Sequence, residues 1–121
     1  MAKQMTRARF EKLVDEALEE LPQSVVDAVE NLHIVVEAEP SPDQDPHGEG
    51  LLGIYEGISL LERGLDYSAA MPDRITVFMK PHLELGLPRD ELREEIRRTV
   101  LHEVAHHLGI SDDRLHELGW D

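Results

Sequence analysis

The residues best suited to chemistry lie near the carboxyl end of the chain, in the pattern H-E-x-x-H. His102 and His106 are four residues apart, so on a helix their side chains lie on the same face, about one turn apart. Two imidazole nitrogens at that spacing can bind one metal ion, and Zn²⁺ is well suited to them. Glu103 lies beside that face, where a carboxylate can take a proton from a metal-activated water. The pattern is therefore typical of a catalytic zinc site.

The residues that follow extend the pattern to H-E-x-x-H-x-x-G-x-x-D. Gly109 tolerates the left-handed conformation that ends helices, so we expect the helix to stop there. The chain can then turn back, and Asp112 could reach the same metal as a third ligand. Two histidines, one aspartate and an open position would form a catalytic centre, whereas closed structural sites normally use four protein ligands. Alternative third ligands near the motif are His107, Asp113, His116 and Glu117.

The alternative interpretation of the pentapeptide is an ordinary polar helix face. Apolar residues of the same segment form a stripe at helical spacing, roughly opposite the two histidines: Val100, Leu101, Val104, Ala105 and Leu108. On that interpretation the histidines simply face solvent, without a metal. The glycine and the aspartate at the right offsets favour the metal site.

Composition and charge narrow the class of protein. A chain of 121 residues, of which 40% are hydrophobic and 31% charged, fits one soluble domain. The formal net charge of −14 argues against a nucleic acid or an anionic membrane surface as partner, because both attract basic patches. The absence of cysteine excludes disulfides and cysteine zinc sites. Neither a signal peptide nor an apolar run of about 20 residues is present, so we expect a cytoplasmic protein.

Hydrophobic spacing predicts helices that surround a few strands. The predicted helices cover residues 6–21, 23–32, 89–108 and 113–118, and a helical turn falls within 81–87. The predicted strands cover residues 33–38, 51–59 and 74–80, and residues 60–73 are irregular. Gly53 and Gly57 in the second strand indicate bulges or close approach of another element. Prolines, glycines and acids in 39–50 predict a mobile surface loop, in which we expect His47 to be solvated.

Several segments, taken together, resemble the small bacterial zincin-like metallopeptidases, a family first described as a domain of unknown function. They are Gly-Ile-Tyr-Glu-Gly at 53–57, Leu-Glu-Arg-Gly at 61–64, Pro-Asp-Arg-Ile-Thr-Val-Phe at 72–78, the helical segment 92–109, and residues 111–119. The resemblance implies an α+β chain with a minimal zincin-like fold, a small mixed β-sheet packed on helices with a C-terminal active-site helix. It also implies Zn²⁺ as cofactor, His102, His106 and Asp112 as metal ligands, and Glu103 as catalytic residue.

The activity implied by the resemblance is hydrolysis of a peptide or protein substrate. Glu103 would act as general base, and Tyr55 and Tyr67 are candidates to stabilise the oxyanion, although packing is the better interpretation of each. By analogy with zincins, the strand 74–80 could pair with an extended peptide. No methionine follows Asp112, so the methionine turn of the metzincins is missing. The alternative function is a non-catalytic zinc-binding scaffold or interaction module.

Overall fold

The computed structural model describes residues 5–29, 32–56, 74–108 and 110–118, and these form helices around a three-stranded sheet. The predicted irregular segment 60–73, which includes Tyr67, lies outside the described residues. The helices are α1 (Arg7–Glu19), α2 (Gln23–Val29), α3 (Met79–Leu83), α4 (Arg89–Leu108) and α5 (Asp112–Leu118). The strands are β1 (His33–Glu37), β2 (Gly53–Glu56) and β3 (Arg74–Phe78). Helices together with a small mixed sheet confirm the predicted α+β zincin-like fold.

The sheet has the order β1-β3-β2, with β3 parallel to β1 and antiparallel to β2. Strand β3 is therefore the central strand, and both of its edges are already paired. The expectation that residues 74–80 could accept an added peptide strand is wrong for this reason. Strand β3 is also buried on both faces, since Ile75, Thr76, Val77 and Phe78 are fully buried.

Strand β3 ends at Phe78, two residues earlier than the sequence predicts, and Met79 begins α3. Pro81 explains the early end, because proline has no N–H for a strand ladder but fits the first turn of a helix. The N–H of Lys80 still donates to Ala38 O at 2.8 Å, which keeps α3 beside the end of β1. The alternation of apolar residues was therefore a correct signal for the strand but not for its boundary.

Helices α1 and α4 pack together on one face of the sheet and supply most of the core. Thr6 caps α1, and its hydroxyl accepts the Arg9 N–H at 3.2 Å. The buried residues of the two helices follow the predicted spacing: Phe10, Leu13, Val14 and Ala17 on α1, and Leu92, Ile96, Val100, Leu101, Val104 and Ala105 on α4. Each large aliphatic side chain so buried contributes about 1.5–3 kcal/mol. This packing fixes α4 beneath the sheet.

The acidic loop between β1 and β2 is exposed, as predicted, and is organised by Asp45. The carboxylate of Asp45 accepts hydrogen bonds from the backbone N–H groups of Glu49, Gly50 and Leu51, at 3.0, 3.0 and 3.2 Å. These bonds, chiefly the one from Glu49, lower the pKa of Asp45. Gly48 and Gly50 have φ of 62° and 81°, the left-handed region that this turn requires. The loop thus leads the chain into β2 with a defined turn.

Candidate active site

Helix α4 holds the central motif in one uninterrupted run of 20 residues. It begins after Pro88 with Asp90 and Glu91 in its first turn, where acids favour the positive end of the helix dipole. It ends at Leu108, and the N–H of Ile110 donates to Ala105 O at 2.8 Å. That bond is typical of a Schellman helix end, in which the first residue after the helix is usually glycine. The predicted end of the helix is confirmed, and His102 and His106 lie one turn apart on it.

His102 and Glu103 line a cleft of about 360 Å³ between α4 and the start of β2. Both side chains are half-buried. The other lining residues combine apolar and charged side chains: Leu51, Leu52, Gly53, Glu95, Arg98 and Thr99. The cleft therefore places an imidazole and a carboxylate beside the backbone of an extended strand.

Glu103 is fixed in this cleft by the backbone of β2. Its Oε1 accepts a hydrogen bond from the Tyr55 N–H at 2.8 Å. The N–H of Phe78 donates to Leu52 O, so the alternating pattern of an antiparallel pair points the N–H groups of Gly53 and Tyr55 away from β3. Glu103 thus reaches the outer side of β2, and the strand holds its carboxylate in place.

Gly53 allows α4 to lie this close to β2. An ideal Cβ at Gly53 would lie 2.6 Å from Thr99 Cγ2, 3.1 Å from Thr76 O and 3.8 Å from Glu103 Cγ. The close approach predicted for Gly53 is confirmed, whereas Gly57 lies outside the described residues. Only a residue without a side chain keeps the helix and the strand at this spacing.

The structure describes the backbone around the other two predicted ligands but not their side chains. His106 lies on α4, and Asp112 is the first residue of α5, four residues beyond the end of α4. Ser111 caps α5, because its hydroxyl accepts the Arg114 N–H at 3.2 Å, and Leu115 is buried in the core. Among the side chains that the structure describes, no three histidines or acids form a metal-binding group. The roles of His102, His106 and Asp112 as metal ligands therefore stay predictions.

Comparisons with known proteins bear on the family and the fold of the chain. The sequence pattern of the zincin-like metallopeptidases matches residues 29–120, which is more than half of the chain. The chain belongs to the zincin-like metallopeptidase family. A conserved hypothetical protein from Thermus thermophilus has a similar structure, with a TM-score of 0.55 and 27% identity over 96% of this chain and 100% of that one. Among curated proteins, none matches the chain significantly.

The residues at hand fit the zinc ion that a zincin-like metallopeptidase implies. Two histidines lie one turn apart on a helix that is anchored by the core. A capped helix begins with an aspartate shortly after that helix ends. Imidazole nitrogen and carboxylate oxygen are the usual donors of catalytic zinc, and the chain has no cysteine that would favour a closed site.

None of the helices in the described ranges is long and apolar enough to cross a membrane.

The alternative ligands lie on exposed surfaces where they are described. Asp113, His116 and Glu117 are exposed on α5, and Glu117 pairs with Arg114 at 3.1 Å. His47 is exposed in the acidic loop, as predicted. The side chain of His107 lies outside the described residues. The ring of Tyr55 is half-buried against the core, and the backbone N–H of this residue donates to Glu103.

Sequence reasoning missed a buried histidine that lies directly behind the cleft. His82 is fully buried on α3, and its Nδ1 lies 2.8 Å from Phe78 O. Its Nε2 lies 2.9 Å from the hydroxyl oxygen of Thr99, one of the residues that line the cleft. Burial lowers the pKa of His82. Its Nδ1–H donates to Phe78 O, and its Nε2 faces the Thr99 hydroxyl, which also donates to Glu95 O at 3.0 Å. A single histidine in a short helical turn gives no sequence signal of this role.

Proposed function

We propose that this protein is a zinc-dependent peptidase in which Glu103 is the general base. His102, His106 and Asp112 would hold the ion. When bound there, Zn²⁺ would supply a positive charge that lowers the pKa of water and polarises the substrate carbonyl. The observation that supports the proposal best is the position of Glu103, which lies next to His102 and is held at 2.8 Å by the Tyr55 N–H.

The hydrogen bond from Tyr55 gives Glu103 the fixed position that a general base needs. A base must lie within hydrogen-bond reach of the proton that it removes, and its effect depends on being held there before the reaction. Glu103 would take a proton from the attacking water and donate it to the leaving amine. A carboxylate on the surface of a polar helix would lack such a partner in a distant strand, so the contact favours the catalytic interpretation.

The substrate would lie along β2 rather than β3. Strand β2 is an outer strand of the sheet in the part of the chain that the structure describes, and the cleft that contains Glu103 runs beside it. The backbone N–H and C=O groups of Gly53 point away from β3, so they can pair with an extended peptide. Pairing there would bring the peptide backbone next to Glu103.

Metal content and turnover of two variants test the proposal. Protein purified without chelators or a histidine tag should contain about one zinc per chain, because the three ligands form a single site. His102→Ala should lose the zinc. Glu103→Gln should keep the zinc and lose hydrolysis of a mixed peptide library by a factor of about 10²–10⁴, the usual contribution of a general base.

Two outcomes would reject parts of the proposal. Turnover by Glu103→Gln at the wild-type rate would remove Glu103 from the mechanism. Zinc that binds stoichiometrically but supports no hydrolysis, with its coordination closed by a fourth protein ligand, would instead favour a zinc-binding scaffold. X-ray absorption spectroscopy of the zinc protein counts these ligands directly.

A further inference from the structure

His82 joins three elements behind the cleft, although the proposed reaction does not use it. The ring packs against Phe10 of α1, with ring centroids 5.8 Å apart, and binds Phe78 at the end of β3 and Thr99 on α4. A polar ring in a core costs free energy unless its nitrogens are hydrogen-bonded. Both nitrogens of His82 are bonded, so the ring connects α3 to α4 through one side chain.

Thr99 connects His82 to the cleft, because its hydroxyl and its methyl group have different partners. The hydroxyl oxygen lies 2.9 Å from His82 Nε2 and 3.0 Å from Glu95 O. The methyl group faces Gly53, at 2.6 Å from the position of an ideal Cβ. A threonine on a helix is restricted to few rotamers, so the contacts of the hydroxyl with His82 and Glu95 O together select the rotamer that directs the methyl group at β2.

Glu103 lies one turn beyond Thr99, on the same face of α4. Its Cγ also faces Gly53, at 3.8 Å from the ideal Cβ position. The contact of Thr99 with Gly53 therefore sets the distance between α4 and β2 at the point where Glu103 must reach the Tyr55 N–H. A change in the Thr99 rotamer would change that distance.

We propose that His82 and Thr99 are positioning residues, which hold α4 against β2 so that Glu103 meets the Tyr55 N–H. The expected effect on turnover rests on the proposed function, whereas the expected effect on the hydrogen bond between Glu103 and the Tyr55 N–H does not. Because a small displacement of a catalytic group costs up to about 10²-fold in rate, the pair should influence turnover without touching the substrate. His102 and His106 lie on the same helix and would move together, so zinc content should not change.

Thr99→Val tests the hydroxyl, since valine keeps the shape of threonine but cannot bond His82. The readout is the proton chemical shift of the Tyr55 amide in the NMR spectrum, with Glu103→Ala as the reference for a lost bond. We expect the Thr99→Val shift to move most of the way to that reference. Turnover should fall about tenfold with unchanged KM, because the base is displaced but substrate binding is not. Thr99→Ser keeps the hydroxyl but loses the methyl group that faces Gly53, so it should also move the amide shift, which tests the contact separately from the hydroxyl.

A double variant separates positioning from general stability. His82→Phe with Thr99→Val removes both partners of the bond between residues 82 and 99, so the melting temperature should recover relative to Thr99→Val alone, which leaves Nε2 of His82 without its partner. The Tyr55 shift and the turnover should nevertheless stay altered. Thr76→Val is the matched control: it makes the same change at a buried threonine whose hydroxyl has no partner among the described residues, and it should leave the Tyr55 shift unchanged.

The inference is overturned if Thr99→Val leaves the Tyr55 amide at its wild-type shift. It is also overturned if the double variant restores the amide shift together with stability, because His82 and Thr99 would then act only as core residues. Absence of hydrolysis in the wild type and in every variant, with the Tyr55 amide shift moving as expected, would instead reject the proposed function and retain the positioning role.

Discussion

Gly53 is the residue on which the spacing of the candidate site depends. We expect Gly53→Ala to lower stability by about 1–3 kcal/mol, because its new methyl group would lie 2.6 Å from Thr99 Cγ2 and 3.1 Å from the backbone oxygen of Thr76. Thermal unfolding of the variant measures the loss.

Thr99→Ser provides the control for that prediction. Serine lacks the methyl group that the new Cβ would meet, so Gly53→Ala should cost less in a Thr99→Ser background than in the wild type. Equal losses in the two backgrounds would show that the contact between residues 53 and 99 does not limit the approach of α4 to β2.

His82 makes the stability of the protein depend on pH. Burial lowers the pKa of His82, against the opposing effects of its bond to Phe78 and of the nearby Glu95 carboxylate. The unfolded chain therefore binds a proton on this ring at pH values where the folded protein does not. Stability from the neutral ring is fully present above the ordinary histidine pKa of about 6.5 and falls as the pH drops below it.

Urea unfolding at pH 7.5 and pH 5.0 measures this effect when His82→Gln is compared with the wild type. Glutamine offers one donor and one acceptor group but does not titrate, and every other histidine is the same in both proteins. We expect the wild type to lose more stability at pH 5.0 than the variant does. Equal losses would mean that His82 already accepts a proton in the folded state.

Helix α5 matters at the scale of elements, because Asp112 is its first residue. Ser111→Ala removes the cap and should cost about 0.5–2 kcal/mol of stability. If Asp112 is a zinc ligand, the variant should also bind zinc more weakly, since the start of α5 would no longer be fixed. Competition with a chelator of known affinity measures the change.

Thr6→Ala is the matched control for the α5 prediction. The hydroxyls of Thr6 and Ser111 accept N–H groups at the same 3.2 Å, but Thr6 caps α1, which lies outside the predicted ligand set. Thr6→Ala should lower stability and leave the zinc affinity unchanged. A zinc affinity that is unchanged in Ser111→Ala as well would argue against Asp112 and in favour of another third ligand.

The elements also differ in how far the sequence predicts them. Helix α4 has the predicted bounds at both ends, because apolar spacing, Pro88 and Gly109 all indicate the same segment. Helix α2 is described as far as Val29, and Leu32, which was predicted to be its last residue, lies outside the helix directly before β1. The central position of β3 was not predictable, because strand order depends on contacts between distant segments.

At the scale of the whole molecule, the candidate site combines residues that the sequence predicts with contacts that it does not predict. Spacing within one helix predicts His102, Glu103 and His106 together, since local periodicity brings these residues to neighbouring positions. The partner of Glu103 is 48 residues away on β2, and His82 meets Thr99 across 17 residues. Such pairs follow from the packing of elements, and no local pattern in a single sequence reveals them.

The net charge of −14 determines how zinc binding must be measured. With 26 acidic residues, any divalent cation should bind weakly to the surface and relieve repulsion, which raises the melting temperature slightly. A specific site adds a larger effect, about 2.7 kcal/mol at a hundredfold excess over the dissociation constant. We therefore expect Zn²⁺ to raise the melting temperature of the wild type well above the effect of Mg²⁺.

His102→Ala isolates the contribution of the site, because it leaves the acidic surface unchanged. In this variant the effect of Zn²⁺ should fall to that of Mg²⁺, whereas Glu103→Gln should keep the full zinc effect. A zinc effect of equal size in the wild type and in His102→Ala would place the ion on the acidic surface instead. Loss of the effect in Glu103→Gln would make Glu103 a ligand rather than a base, since a residue that only moves protons adds nothing to zinc affinity.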